Sequence, residues 1–150
     1  LRSEAGLSLV ELAVAVSVLG LALALAAPAM PRSRAGADAT AHALAAVLAR
    51  GRLAAVREGL ELEVEVDAAT GAYRVRTPAA GGADSLLAGG GLPLEGGARI
   101  APAADGRAHL LRFGALGRAE GGPVRVRDAE GRGRVVEVDP WTGRVRVREE

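Results

Sequence analysis

The chain of 150 residues reads as an α+β protein: a long N-terminal helix, apolar in its first half and amphipathic in its second, packed on an antiparallel β-sheet head. Three observations predict it. Between Leu7 and Met30 the only charged residue is Glu11, whereas everything after Pro31 is charged and Gly-punctuated. Residues 35–58 are rich in helix formers and carry a one-sided apolar stripe. From Leu60 onward apolar and charged residues alternate in paired runs, and two of these runs turn on Asp-x-x-Thr-Gly.

Composition removes most catalytic chemistry. The chain has no Cys, Lys, Asn or Gln and only three aromatics, Tyr73, Phe113 and Trp141. A thiol nucleophile, a disulfide framework, cysteine-ligated zinc, a Schiff base and a Walker-type phosphate loop are all excluded. The 19 basic residues are all Arg, set against 18 acids, and a net charge of +1 gives no global attraction to a polyanion. No motif joins Ser85, His109 and an Asp into a hydrolytic triad, and His42 and His109 read as surface histidines. Asp128-Ala129-Glu130 reads as a turn, because a calcium loop needs more oxygen ligands at wider spacing. No catalytic residue, metal ligand or cofactor is expected.

The first element is the apolar run. From Leu12 to Met30 there are 19 uncharged residues. At ~1.5 Å per residue they span about 28 Å as a helix, close to the ~30 Å hydrocarbon core of a bilayer. A core helix is the poorer reading, since the remaining head could not cover an all-round apolar helix. Cleavage as a secretory signal has sites at Ala24-Leu25-Ala26 and Ala27-Pro28-Ala29, but Glu11 argues against it. A carboxylate in such a run costs roughly 2.5–3.5 kcal/mol on insertion scales and implies a partner. Gly20 and Pro28 would loosen or bend the helix.

The second element, residues 35–58, places Leu44, Val47, Leu48 and Ala55 on one face with Arg50 and Arg57 off it, and Gly59 stops it. The first hairpin follows. Leu60, Leu62, Val64 and Val66 alternate with acids, then Tyr73 and Val75 alternate with Arg74 and Arg76 beyond the Asp67–Gly71 turn. Pairing Asp67 with Ala72 sets Glu65 opposite Arg74 and Glu63 opposite Arg76 on a wet face, with Val66–Tyr73 and Val64–Val75 on the dry one. The segment from Pro78 to Ala108 is Gly- and Pro-rich and reads as loop, with short strands near Leu92–Leu94 and Arg99–Ala101. A strand at Val124–Asp128 turns through Ala129-Glu130-Gly131, with a three- or five-residue loop equally serviceable. The last hairpin repeats the grammar of the first: Asp139 opposite Arg144, Glu137 opposite Arg146, and a Val138–Val145, Val136–Val147 core. Trp141, at its tip, suits either a contact residue or a lid on the sheet.

The segment Gly6-Leu7-Ser8-Leu9-Val10-Glu11-Leu12, placed after a short polar leader and before the apolar run, resembles the class III leader of type IV pilins and type II secretion pseudopilins. The resemblance implies that residues 1–6 are a prepilin leader, that a prepilin peptidase cuts after Gly6 and methylates the new amino terminus at Leu7, and that Glu11 acts in assembly. Leu7 stands where the family usually has Phe, at a position that tolerates other apolar residues. The physical logic agrees. A new amino terminus in an apolar setting needs a counter-ion, and Glu11 of a neighbouring subunit would supply one and set axial register.

At the other end, Phe113 through Gly122 and Val138-Asp139-Pro140-Trp141-Thr142-Gly143-Arg144-Val145-Arg146 resemble the GspH/FimT family of minor pseudopilins and minor pilins. That resemblance implies a pilin-like fold: leader 1–6, transmembrane and assembly helix 7–31, and a periplasmic head 32–150 with helix 35–58 and β-rich 60–148. It implies a single-pass inner-membrane protein whose partners are other pseudopilins or pilins, the prepilin peptidase, the secretion-system inner-membrane platform and secreted cargo. The ending looks more like the type II secretion member. Some pilus members serving DNA uptake carry a C-terminal Gly-Arg-x-Arg that contacts DNA, which here makes Arg144 and Arg146, with Arg148, candidate phosphate contacts. Residues 107–148 hold ten arginines against five acids. The competing expectation is that these arginines serve as cross-strand ion pairs with Asp139 and Glu137, worth a few tenths of a kcal/mol each.

Overall fold

The computed structural model describes residues 12–18, 32–78 and 85–150. The chain divides into two units, Leu1–Pro31 and Arg32–Glu150. In the first, residues 12–18 form helix (α1), whose Leu12, Val14, Val16 and Val18 are all exposed. Among the described residues no helix is long and apolar enough to cross a membrane. Most of the expected span lies outside them.

The second unit begins with α2 (Arg32–Glu58), three residues longer at its start than the apolar stripe alone indicates. Its inward face is the expected one, with Ala41, Leu44, Val47, Leu48 and Ala55 buried and Arg50 and Arg57 exposed. The helix ends as the sequence predicts. Gly59 takes φ 66° and the Leu60 N–H donates back to the Ala55 carbonyl at 3.1 Å, the bond that closes a Schellman motif.

Among the described residues nine strands follow, and the antiparallel head divides into two sheets. The first sheet has the order β3-β2-β1-β5-β6 and the second β4-β7-β8-β9, with every pairing antiparallel. The strands are β1 (Leu62–Val66), β2 (Ala72–Thr77), β3 (Ser85–Gly91), β4 (Arg99–Ile100), β5 (His109–Phe113), β6 (Ala119–Glu120), β7 (Val124–Arg127), β8 (Gly133–Val138) and β9 (Val145–Glu149). Helix α2 packs against β1 and β5 of one sheet and β7, β8 and β9 of the other. The core therefore sits under one helix face: Leu62, Val64, Leu111 and Phe113 from the first sheet and Val124, Val126 and Val136 from the second. A single α-helical stripe serving two sheets gives one continuous apolar cluster.

Both hairpins adopt the expected register. In the first, Val66 pairs with Tyr73, Glu65 with Arg74, Val64 with Val75 and Glu63 with Arg76. In the last, Val138 pairs with Val145, Glu137 with Arg146 and Val136 with Val147. The turn between β7 and β8 closes on three residues, with the Asp128 N–H donating to the Arg132 carbonyl at 2.8 Å.

Three expectations are corrected. The middle segment holds a strand at Ser85–Gly91 rather than at Leu92–Leu94; a Ser-Leu-Leu-Ala-Gly-Gly-Gly run shows neither alternation nor β-branched residues, so its strand exists through main-chain pairing with β2. The polar face of the first hairpin is not uniformly wet. Glu63 is 5% exposed because β5 covers it from the side opposite β2, and it bonds both Arg76 (3.2 Å) and Arg112 (2.5 Å). His109 is buried rather than on the surface, with its Nε2 2.7 Å from the Ala101 carbonyl. His42 is exposed, as expected.

Candidate functional site

Gly6, Leu7 and Glu11, the expected processing and assembly residues, lie outside the described residues. The candidate site within them is the C-terminal hairpin with the outer face of the second sheet. Its turn is built from the Asp-x-x-Thr-Gly sequence by elementary hydrogen bonding. Asp139 Oδ1 accepts from the N–H groups of Trp141 (3.0 Å) and Thr142 (2.8 Å) and from the Thr142 hydroxyl (2.9 Å). The Gly143 N–H donates to the Asp139 carbonyl at 2.7 Å, and the Asp139 N–H to the Arg144 carbonyl at 2.9 Å. The bonds from Thr142, with the field of Arg146 added, hold the Asp139 carboxyl below its ordinary range.

Gly143 itself is structural. It takes φ 63°, and a Cβ there would lie 2.6 Å from the Gly117 carbonyl oxygen and 2.9 Å from Arg52 Cδ. No side chain fits. The turn is also tied to the helix, because Arg52 Nε donates to the Thr142 carbonyl at 2.8 Å, and to the first sheet through the Ala119 N–H on the Pro140 carbonyl at 3.0 Å. The glycine of Gly-Arg-x-Arg is thus explained by packing, and any ligand contact must come from the arginines.

Those arginines follow the strand period. In β7 and β9 the valines turn toward α2 while Arg125, Arg127, Arg146 and Arg148 turn to solvent, joined on the outer side by Arg99 of β4. Their charges are unequally compensated. Glu150 takes Arg127 (2.6 Å) and Arg125 (3.3 Å), and the bond from Arg127 holds its carboxyl below the usual value. Glu137 stands opposite Arg146 in register but pairs with Arg148, one step along the strand. Arg144 and Arg146 are exposed, and among the described residues neither guanidinium makes an ion pair or hydrogen bond. The expectation that the C-terminal arginines serve as cross-strand ion pairs therefore holds for Arg148 alone.

At the rim of this face lies an open groove of about 700 Å³ between the start of α2 and the ends of β7–β9. Its charges satisfy one another. Arg134 bonds Asp38 (2.5 Å) and Glu149 (2.5 Å), which raises the pKa of Arg134 and lowers that of Asp38. Trp141 is 73% exposed and is therefore no lid on the sheet, and the Arg118 guanidinium carbon stands 5.4 Å over its ring. Leu116, on the adjoining turn, is 94% exposed. Arg99, Arg125 and Arg127 belong to no motif in the sequence; strand parity relative to the buried valines is the signal that carries them to the same face. Among the described residues no cluster of His, Asp or Glu could hold a metal ion.

A helix laid along antiparallel sheets, with the C-terminal hairpin locked to its far end, is the pilin fold. Among solved structures, the type IV minor pilin FimU of Pseudomonas aeruginosa shares it: one crystal form superposes with a TM-score of 0.59 at 18% identity, over 78% of this chain and 90% of FimU. A second crystal form gives 0.55 at 16% identity, over 75% and 91%. No family model and no curated protein matches the sequence.

Proposed function

We propose that the protein is a minor pseudopilin of a type II protein secretion system: a structural subunit without catalysis, processed after Gly6, methylated on Leu7, and held in the bacterial inner membrane by helix 7–31 with its head in the periplasm. The observation that carries this reading is a pilin-fold head directly following a sequence in which Gly6, an apolar Leu7 and Glu11 precede a long uncharged run. In this reading Glu11 pairs with the amino terminus of a neighbouring subunit, the exposed Trp141 and Leu116 face adjoining heads or cargo, and the prepilin peptidase and inner-membrane platform act on the chain before and during assembly. The test is fibre incorporation. A Glu11→Ala chain is expected to remain in the membrane fraction and to drop out of sheared fibres, and equal incorporation of variant and parent would contradict the assembly role.

A second reading, a minor pilin that binds DNA for uptake, draws on two observations: the solved structures that share the fold are of a type IV minor pilin, and Arg144 and Arg146 are exposed with no ion pair among the described residues. Contacts of that kind touch phosphates and carry no base sequence. Salt-dependent binding of non-specific duplex by the chain, lost on replacing Arg144 and Arg146 together by Ala, supports it. Binding that is absent, or indifferent to the double substitution, excludes it.

A further inference from the structure

Two rows of residues cross the outer face of the second sheet. One runs Arg99, Arg127, Gly133 and Glu150, from β4 through β7 and β8 to the residue just beyond β9, whose N–H donates to the Gly133 carbonyl at 3.1 Å. The other runs Ala101, Arg125, Val135 and Arg148. Three guanidinium groups, those of Arg99, Arg125 and Arg127, thus share two neighbouring strands about 4.8 Å apart. Arg99 directly opposes Arg127, and like charges in that relation are destabilising. The fold does not call for them, because Ile100 and Val126 on the opposite side of the same strands supply the burial.

The Glu150 carboxylate shows what this cluster can hold. It reaches across β8 and takes Arg127 in a two-point fork, Nε to Oε2 at 2.8 Å and Nη2 to Oε1 at 2.6 Å, with Arg125 Nε 3.3 Å from Oε1. The crossing is open because Gly133 carries no side chain: a Cβ there would lie 2.5 Å from Oε2. The result is a carboxylate cradle with a glycine floor and arginine walls. It is under-filled. One carboxylate serves two arginines whose side chains remain 51% exposed, and among the described residues Arg99 makes no ion pair or side-chain hydrogen bond.

We propose that Arg99, Arg125 and Arg127, over Gly133, form a seat for a carboxylate side chain of an acidic protein segment, which Glu150 fills in the free chain and yields on binding. The exchange is easy, because an exposed ion pair adds little to the fold and the incoming carboxylate restores the same bonds. The surroundings favour a protein segment over a nucleic acid. The open groove of about 700 Å³ shares Arg127, Gly133 and Glu150 with the seat and continues past Asp128, Arg132 and Glu149, so its lining carries both signs. A uniformly charged phosphate backbone meets repulsion there, whereas a peptide can present both signs, and a net charge of +1 supplies no long-range pull on a polyanion. The seat is distinct from Arg144 and Arg146, and it does not depend on which fibre the subunit serves.

The test uses the full chain in nonionic detergent at low salt, with a rhodamine-labelled peptide of alternating glutamate and serine followed by fluorescence anisotropy. Glu150→Gln removes the internal occupant and should tighten peptide binding about three-fold. Adding Arg127→Ala should then weaken it about ten-fold, while adding Arg50→Ala instead, which removes an equal charge from the exposed side of α2, should change it by less than about two-fold. All three positions are exposed, and circular dichroism checks that each variant is folded. Peptide binding that is absent, unchanged or weaker in Glu150→Gln overturns the proposal, as does equal weakening by Arg127→Ala and Arg50→Ala, which would mean attraction to charge alone. A non-specific DNA duplex that gains more than the peptide from Glu150→Gln also overturns it and assigns the seat to phosphate.

Discussion

The β1–β2 and β8–β9 hairpins share one turn and end in opposite electrostatic states. Asp67 and Asp139 each accept from the two N–H groups that follow in the turn, Gly71 and Gly143 each close it at positive φ, and the flanking valines pair in the same order. Yet Glu63 of the first is buried between two arginines, while Arg144 and Arg146 of the second are exposed and make no ion pair or hydrogen bond through their guanidinium groups among the described residues. Position in the sheet makes the difference. β1 is flanked by β2 and β5, so its polar face is enclosed by neighbours that must compensate it; β9 is an edge among the described strands, so its outer face is left to solvent.

The two hairpins should differ most at their turn glycines. A side chain at Gly143 meets backbone, the Gly117 oxygen at 2.6 Å, whereas one at Gly71 meets the Leu94 side chain at 3.0 Å, which can move. Positive φ alone costs an L-residue about 1–2 kcal/mol. Gly71→Ala should therefore destabilise by roughly that amount, and Gly143→Ala by more, about 3 kcal/mol or above, as measured by urea unfolding. Equal losses would mean that the locked packing of the second turn contributes nothing.

Next in size is the buried carboxylate. Glu63→Gln removes the charge from an enclosed site and with it the ion pair of Arg112 and one of those of Arg76, which keeps Glu65 at 3.7 Å, so a loss of about 1–3 kcal/mol is expected. Glu137→Gln, which removes only the exposed partner of Arg148, should stay within ~0.5 kcal/mol. A reversed order would overturn the contrast between central and edge strands.

Acid sharpens what the two hairpins have in common. Hydrogen bonds from the backbone, led by Thr70 for Asp67 and Thr142 for Asp139, hold both carboxyls below their ordinary values. A depressed folded-state pKa contributes stability that is present above the unfolded value, ~3.9, and is lost as pH falls from there through the folded value. The parent chain should lose stability as pH falls below about 4, and a chain with both Asp67→Asn and Asp139→Asn should lose less on the same descent. Smallest of all, Arg144→Ala with Arg146→Ala should leave the free energy of unfolding unchanged within about 0.5 kcal/mol, because neither guanidinium makes an ion pair or hydrogen bond among the described residues. Loss of duplex binding in that variant would then be a surface effect.

Much of this was legible in the sequence, and the parts that were not share a physical reason. Alternation with charge complementarity specifies both hairpin registers from local information, and the helix stripe with its glycine stop specifies α2. The split into two sheets depends on how β5 and β7 meet strands distant in sequence. β3 is a strand only because β2 provides main-chain partners. Glu63 and His109 look like surface residues until β5 and the Ala101 carbonyl are placed beside them. At the candidate site, the turn could be read from Asp139 and Gly143; the contribution of Arg99, Arg125 and Arg127 required the sheet order.

The fibre-subunit account rests on the amino terminus. Mass analysis of the chain isolated from membranes of a cell with prepilin peptidase should find it beginning at Leu7 with one methyl group on the α-amine. A chain beginning unmodified near Arg32, as a conventional secretory cleavage would leave it, contradicts the account.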